Sequence, residues 1–224
     1  MVILLDYPEF LCDFHFNFVN SLPDHAIQLK NMVLAAHPRH INPRSPLAKD
    51  LKVDMISEDP LILSNYEAYL KMGNLREDLE SYFKTKKPAL ITEICNKMMS
   101  AKEKINDKEI PRSTVINAVV LYIATQTCGE RRNNSDLAQN ENLELFKQMA
   151  LKLDDETRLC LLNSIVNELR YPNSHTFFLS VTLLFLFCES KPIVQQQIAT
   201  ILFERLQSVL PFPWGLMINF RELI

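Results

Sequence analysis

Residues 154–188 read DDETRLCLLNSIVNELRYPNSHTFFLSVTLLFLFC, and this stretch decides the fold class. Asp154 or Asp155 can cap a helix there, because a carboxylate accepts hydrogen bonds from the first free amides. The residues that follow carry one apolar stripe at helical spacing: Leu159, Leu162, Ile165, Val166 and Leu169. A stripe of this kind predicts a helix that buries one face, while its other side carries polar residues such as Asn163 and Asn167.

A turn follows this helix at Tyr171-Pro172-Asn173-Ser174. Pro172 ends the helix, because proline lacks the backbone donor that the helix interior needs. Asn173 or Ser174 can then cap the next helix. That helix, Thr176 to Cys188, is apolar all round, so we expect it at the centre of the protein. The stretch as a whole predicts an antiparallel helix hairpin.

Glycine is scarce along the whole chain, with only Gly73, Gly129 and Gly215 among 224 residues. Average usage of about 7% would give roughly 16 glycines. Dinucleotide-binding loops, P-loops and the nucleophile elbow of α/β-hydrolases all need several glycines at fixed spacing. The sequence therefore excludes these enzyme classes, and it also argues against a fold rich in tight β-turns.

Twelve prolines divide the rest of the chain into helical windows. An extended segment to about Asp59, with apolar anchors at Leu47, Leu51, Val53, Met55 and Ile56, separates the first two helices from the others. A polar tract from Glu130 to Asn142 predicts a surface loop. The remaining predicted helices are Glu9–Asn20, Ala26–Ala36, Leu75–Lys84, Ala89–Met99, Ser113 (as cap) to Thr125, Pro192 to Val209, and Trp214–Ile224.

Short turns between amphipathic helices favour stacked antiparallel pairs, because no hairpin can bury its own apolar stripe. We therefore predict an all-α fold of HEAT-like helix pairs that forms a single domain over residues 1–224. The prediction of a repeat architecture rests on helix patterning, since the sequence has no visible internal repeat.

Composition narrows the class of protein further. The chain is 47% apolar, and its 24 basic and 27 acidic residues give a net charge of −3, without the basic excess of a dedicated nucleic-acid binder. Five cysteines lie far apart, mostly in apolar surroundings, as is typical of reduced core thiols. The first residues lack the basic region and the small-residue cleavage site of a signal peptide, so we expect no secretion signal. The longest apolar stretch is about a dozen residues, short of the roughly 20 of a membrane helix.

Candidate chemistry is sparse. Cys12 and His15 share a helical face, but two ligands do not make a zinc site. We predict no metal, no cofactor and no catalytic residue; an unrecognised hydrolase would need a pocket that joins a serine or cysteine to one of the five histidines. Phe10, Phe14 and Phe18 recur at helical spacing, which favours a packing role.

Two basic clusters leave an alternative open. Lys84, Lys86 and Lys87 form the first, and Arg131 with Arg132 forms the second. Lysines at a helix end and arginines in a solvated loop explain both clusters without a ligand. The alternative is an RNA-contacting adaptor whose cations bind phosphates.

Several motifs together resemble a known family. They include Pro8-Glu9-Phe10-Leu11, Leu51-Lys52-Val53-Asp54-Met55, Leu169-Arg170-Tyr171-Pro172-Asn173-Ser174-His175-Thr176 and Pro213-Trp214-Gly215-Leu216. With these residues the chain is similar, over nearly its whole length, to the C-terminal homology domain of the large scaffold subunit, subunit one, of the Ccr-Not mRNA deadenylase complex.

The resemblance implies a non-catalytic, HEAT-like docking module. Its implied partners are the two Not-box subunits of the complex and, in some animals, a short peptide of a Nanos-type repressor. Tyr171, His175 and Trp214 are the residues that we expect near the surface, where they shape or line a docking groove. A tryptophan between Pro213 and Gly215 can serve either as a core plug or as an exposed anchor.

The resemblance also implies a cellular role. That role is support of mRNA deadenylation, translational repression and mRNA decay, in cytoplasmic P-bodies and in the nucleus. The family domain continues past the position of Ile224, so we expect the domain to be truncated at that end. A fragment or a freestanding divergent paralogue, which binds the partners without bridging them to a nuclease, remains an alternative.

Overall fold

The computed structural model describes residues 6–48, 58–101, 103–105, 108–130 and 140–223. These residues form twelve α-helices and one short antiparallel β-hairpin, so the predicted all-α fold class is confirmed with one small addition. In chain order the elements are α1 (Pro8–Asp13), α2 (His15–Ser21), α3 (Ile27–Leu34), α4 (Glu67–Met72), α5 (Arg76–Thr85), α6 (Pro88–Ser100), β1 (Glu103–Ile105), β2 (Lys108–Ile110), α7 (Arg112–Gly129), α8 (Asn142–Lys152), α9 (Asp155–Val166), α10 (Ser174–Glu189), α11 (Pro192–Leu206) and α12 (Trp214–Leu223).

The central helix is α7, and not α10 as the sequence predicts. Every residue of α7 from Thr114 to Ala124 is buried, because α2, α4, α6, α9 and α10 all pack against it. By contrast, α10 is buried mainly over its first ten residues, and Cys188 near its end is exposed. The apolar sequence of α10 therefore does not show that the helix is central, because apolar side chains near its C-terminal end are partly exposed to solvent.

Helix pairs stack around α7. Neighbours in sequence pack together in α5 with α6, in α8 with α9 and in α10 with α11, and α9 also packs on α11. Two predicted caps are confirmed: Asp154 accepts a hydrogen bond from the Thr157 amide at 2.7 Å, and Asn173 accepts one from the Thr176 amide at 2.9 Å. The predicted cap at Ser113 is wrong, because the capping position of α7 is Pro111, two residues earlier.

Three predictions about individual helices need correction. Leu159 is partly exposed, and Leu161 takes its place in the core, because α9 packs against α7 through that side. Val209 lies beyond the end of α11 and is exposed. The first predicted helix is two helices, broken at Phe14, whose backbone leaves the helical conformation.

The predicted loops are only partly described. Of the polar tract, residues 131–139 lie outside the described residues, and Asn142 at its end is buried and donates to the Thr127 hydroxyl at 3.0 Å. In the extended segment Leu47 is exposed and so is not an anchor. The other predicted anchors, at positions 51, 53, 55 and 56, lie outside the described residues. Within the described ranges, every helix is too short or too polar to cross a bilayer.

Candidate docking site

The Arg170-to-Thr176 motif lies inside the protein, where it joins three parts of the chain. The Arg170 side chain is 1% exposed, and its Nη1 donates to the Cys12 carbonyl of α1 at 3.0 Å. Its own carbonyl accepts from the Gly215 amide of α12 at 2.8 Å, and its amide donates to the Thr176 hydroxyl at 3.2 Å. We call this region the joint: His15, Glu168, Arg170, His175 and Thr176.

The Glu168 carboxylate lies at the centre of the joint, beside two basic side chains. Both oxygens of Glu168 lie 3.0 Å from His15 Nε2, and Arg170 Nε lies 3.8 Å from one of them. Burial would raise the pKa of Glu168, but His15 and Arg170 hold it below its ordinary value. Burial and the Arg170 charge lower the pKa of His15, although the Glu168 carboxylate and the Cys12 carbonyl, which accept its hydrogen bonds, oppose this. Glu168 is therefore an ionised carboxylate in a largely closed site.

Cys12 and His15, the two potential ligands that share a helical face, do not face a common point in this geometry. His15 Nδ1 lies 3.2 Å from the Cys12 carbonyl oxygen, and its Nε2 faces Glu168. Burial raises the pKa of the Cys12 thiol to about 12, as expected for a protonated thiol in apolar surroundings. Among the described residues, no three histidine, cysteine or acidic side chains are placed to hold a metal ion.

The three residues expected near the surface are buried. Tyr171 is 4% exposed, His175 is 3% exposed and Trp214 is 9% exposed, so the near-surface position predicted for them is wrong. Tyr171 packs with Leu11 and Cys12 of α1, and the Trp214 indole donates to the Arg44 carbonyl at 2.8 Å. Trp214 is thus the core plug of the two alternatives, and a docking role for the three residues stays a prediction.

Gly215 explains why the motif Pro213-Trp214-Gly215-Leu216 needs its glycine. A Cβ at this position would lie 2.6 Å from Thr176 Cγ2 and 2.8 Å from the Leu169 carbonyl carbon. Both distances are below van der Waals contact, so only glycine lets the start of α12 approach the joint.

A segment outside the helices is hydrogen-bonded to both the first turn and the last turn of α12. We call residues 44–48 the strap. Arg221 Nη1 of α12 donates to the carbonyls of Pro46 and Ala48, each at 3.1 Å, and Trp214 holds the preceding carbonyl. These three hydrogen bonds attach the strap to α12 through its backbone carbonyls.

A polar cavity opens on another side of the protein, between α3, α7, α9 and α11. Its volume is about 240 Å³, and a second space of about 250 Å³ adjoins it beside the loop after α2. Both are lined by Asp24, Lys30, Ser113 and Asn117, so they form one feature, which we call the polar cavity. Its volume suits a few side chains rather than a large cofactor.

A chain of hydrogen bonds forms the inner wall of the polar cavity. Asn117 donates to Asn20 at 2.8 Å, Asn167 donates to Asn117 at 3.2 Å, and Arg205 Nη2 donates to Asn167 at 2.5 Å. At its end, Asn31 donates to the Arg205 carbonyl at 2.8 Å. The chain links α2, α7, α9, α11 and α3, and it offers hydrogen-bonding groups but no nucleophile with a general base.

Sequence reasoning missed this site because it placed Asn163 and Asn167 on the outer face of α9. Asn167 is buried, as is Asn117 in the apolar sequence of α7. A single asparagine among aliphatic residues was the available signal, since buried amides need hydrogen-bond partners on neighbouring helices.

Exposed apolar side chains form two further surface features. Phe10 is 51% exposed, and its ring lies 5.0 Å from that of Phe14 and 5.5 Å from that of Phe18, so the predicted packing is only partial. On α11, Phe203 is exposed, and its ring centre lies 6.0 Å from that of Phe220. Exposed aromatic side chains of this kind are common where partners bind.

Only the first of the two basic clusters lies within the described residues. Lys86 pairs with Glu141 at 2.9 Å and lies 4.8 Å from the centre of the Phe83 ring. Lys84 and Lys87 are exposed on either side of it. The second cluster, at positions 131 and 132, lies outside the described residues.

Comparison with known proteins identifies the family. A family model described as "CCR4-Not complex component, Not1" matches residues 1–224, the whole chain. The chain belongs to the Not1 family. Among its relatives, the CCR4-NOT transcription complex subunit let-711 of Caenorhabditis elegans is 35% identical over the full chain. The general negative regulator of transcription subunit 1 of Schizosaccharomyces pombe is 30% identical over the same length. The chain spans about a tenth of these Not1 proteins, 9% and 11%.

Solved Not1 structures share the fold. The Not1 C-terminal domain in complex with Not4 superimposes with a TM-score of 0.87 at 25% identity, and the match covers 99% of this chain and 48% of that one. The NOT1 superfamily homology domain from Chaetomium thermophilum gives a TM-score of 0.86 at 29% identity, with 99% and 46% coverage. The helical stack described above is thus a Not1 fold, and the Not1 relatives are subunits of the CCR4-NOT complex.

Proposed function

We propose that this chain is a non-catalytic docking module of a Not1 scaffold, which binds other Not subunits. The observation that carries the proposal is its likeness, over 99% of its length, to a Not1 C-terminal domain solved in complex with Not4. The polar cavity and the exposed aromatic residues Phe10 and Phe203 offer surfaces for such partners. Through these contacts the chain supports mRNA deadenylation, translational repression and mRNA decay.

A pull-down with purified partners tests the proposal. The immobilised chain is incubated with the Not4-type subunit and with each of the two Not-box subunits, singly and together, at micromolar concentration. We expect retention of at least one. Retention of none would overturn the proposal, provided that circular dichroism shows the immobilised chain to be helical.

Two surface variants would locate the contact. Phe10→Ser and Phe203→Ser each remove an exposed ring, one from α1 and one from α11. Because neither ring is buried, both variants should fold, and each serves as the control for the other. Loss of retention in one variant alone assigns the partner to the surface around that ring.

A salt titration separates protein docking from RNA binding, the alternative based on the two basic clusters. RNA contacts should weaken steeply between 50 and 200 mM salt, because each phosphate contact releases counterions. Docking of a partner subunit should change little. RNA binding that survives Lys84→Gln with Lys87→Gln would exclude the first cluster.

Cellular experiments test the wider role. Tethered to a reporter mRNA, the chain should shorten the poly(A) tail only if it recruits the rest of the complex. A tagged chain should enter both the nucleus and P-bodies. A peptide from a Nanos-type repressor is a further proposed ligand, and binding of this peptide would be measured by competition with the Not-box subunits.

A further inference from the structure

We propose that the polar cavity receives one acidic side chain of a partner polypeptide, with Lys30 and Arg205 binding its carboxylate. The proposal rests on the docking function proposed above and adds the chemistry of one contact. Its basis is the separation of charge in the cavity, where the cations lie inside and the carboxylates lie at the rim.

Two buried cations line the cavity from adjacent helices. The Lys30 residue of α3 is 5% exposed and the Arg205 residue of α11 is 4% exposed. Arg205 bonds to amide oxygens, those of Asn167 at 2.5 Å and Asn31 at 3.5 Å. Burial lowers the pKa of its guanidinium to about 10, so the charge persists at neutral pH in an environment that disfavours it. A carboxylate ligand would relieve that unfavourable burial.

A carboxylate of the chain itself already occupies part of this position. Asp24 Oδ1 accepts a hydrogen bond from Lys30 Nζ at 2.8 Å. The Asp24 side chain is 80% exposed, whereas that of Lys30 is 6% exposed, so the carboxylate reaches the ammonium from the mouth of the cavity. An exposed side chain is free to move away, and we infer that Asp24 stands in for the partner's carboxylate when no partner is bound.

The start of α7 adds to the positive field. Ser113, in the first turn of this 18-residue helix, lines both parts of the cavity. No side chain caps the helix there, since its capping position is Pro111. The first amides of a helix carry partial positive charge and favour anions.

The rim limits which peptides fit. Glu204 lines the cavity and is exposed at its mouth. Its negative charge disfavours a run of acidic residues and favours basic neighbours. The ligand is therefore one glutamate or aspartate flanked by lysine or arginine.

A pair of peptides tests this chemistry. The probe is an amidated heptapeptide with one central glutamate between two lysines, and its control has glutamine in place of the glutamate. Both are titrated into the isotope-labelled chain, and amide shifts are followed by NMR. We expect the glutamate peptide to perturb residues around Ser113 and Asn117 and to bind about ten-fold more tightly than the glutamine peptide, because a hydrogen-bonded charge in a buried site contributes that much.

Variants of the cavity sharpen the test. Lys30→Gln should lose the preference for glutamate, whereas Lys191→Gln, a change at an exposed lysine at the start of α11, should keep it. Asp24→Asn should bind the glutamate peptide several-fold more tightly, because the competing carboxylate is gone. Asp24 is exposed, so this variant should remain folded. It therefore tests carboxylate binding in the cavity even if Lys30→Gln unfolds.

Two results would overturn the proposal. One is equal binding of the two peptides by the unmodified chain. The other is no gain in affinity in Asp24→Asn. If either result is found but the Not subunits are retained in the pull-down, only the assignment of the cavity is wrong and the docking function stands. If the glutamate peptide binds as expected but no subunit is retained, the docking function is wrong and the carboxylate site stands.

Discussion

Arg170 and Arg205 are both almost completely buried, yet their surroundings differ. Arg170 lies in the joint, beside the ionised carboxylate of Glu168, with its Nη1 on a main-chain carbonyl. Arg205 lies at the wall of an open cavity, and its acceptors are amide oxygens. The first arginine is neutralised within the fold, whereas the second keeps a charge that a ligand can reach.

The difference teaches that burial alone does not mark a structural residue. At the joint, the motif residues hold α1, α10 and α12 together through buried hydrogen bonds. At the polar cavity, equally buried polar groups face a space of about 240 Å³. The most distinctive sequence motif thus serves folding, and the less distinctive asparagines line the candidate binding site.

The largest predicted effect is removal of the charge at the centre of the joint. Glu168→Gln leaves the Arg170 guanidinium buried without its carboxylate and weakens the bond to His15. We expect the free energy of unfolding to fall by about 3 kcal/mol, as when one member of a buried ion pair is removed. Urea denaturation at pH 7 measures it.

An exposed carboxylate provides the control for this variant. Glu93→Gln on α6 makes the same chemical change on the surface, where we expect a change within about 0.5 kcal/mol. Similar values for the two variants would show that the joint is no more sensitive to charge than the surface is.

The next largest loss of stability is expected for Gly215→Ala. The new methyl group would clash with Leu169 and Thr176, whose atoms lie 2.8 and 2.6 Å from its position. Overpacking of this kind costs about 2 to 3 kcal/mol. In Gly129→Ala the methyl group meets nothing within 4 Å, so that variant should be neutral or more stable by up to about 1 kcal/mol. Equal stability of the two alanine variants would contradict the close approach of α12 to the joint.

The sequence predicts the fold well where local chemistry decides. The caps at Asp154 and Asn173 and the start of α11 at Pro192 follow from single residues, whereas α6 begins at Pro88, one residue before the predicted start at Ala89. The buried face of α11 from Val194 to Leu202 follows from spacing.

The sequence predicts the site poorly, because the site depends on contacts between distant residues. The polar cavity brings together Lys30, Asn117, Asn167 and Arg205 from four helices, and no spacing in the sequence relates them. The expectation that Trp214 lies near the surface fails for the same reason: its indole partner is Arg44, 170 residues away.

The joint should also make stability depend on pH, through His175. Burial lowers the pKa of this imidazole to about 4, and its neighbours Glu168, Arg170, His15 and Asp59 adjust that value. An unfolded histidine titrates near pH 6.5, so between pH 6.5 and 4 the unfolded chain binds more protons than the folded one does. Stability is therefore complete above pH 6.5 and falls with acidification, by about 2 kcal/mol from pH 7 to 5.

The variant His175→Gln isolates this dependence. Glutamine does not titrate, so the difference in free energy of unfolding between pH 7 and pH 5 should shrink by that amount. His40 pairs with Glu58 at 2.8 Å on the surface, and His40→Gln is the matched control. A histidine variant that leaves the pH profile unchanged would mean that His175 is already protonated, or not buried, in the folded chain.

The smallest effect concerns the strap. Trp214→Phe keeps an aromatic ring in the core but removes the hydrogen bond to the Arg44 carbonyl. We expect a loss of about 1 kcal/mol, the usual contribution of one such bond. Because Arg221 still holds the Pro46 and Ala48 carbonyls, global unfolding should change little more than this, while amide exchange should increase at positions 44–48. Faster exchange throughout α12 instead would mean that the indole bond, and not Gly215, is what holds this helix against the joint.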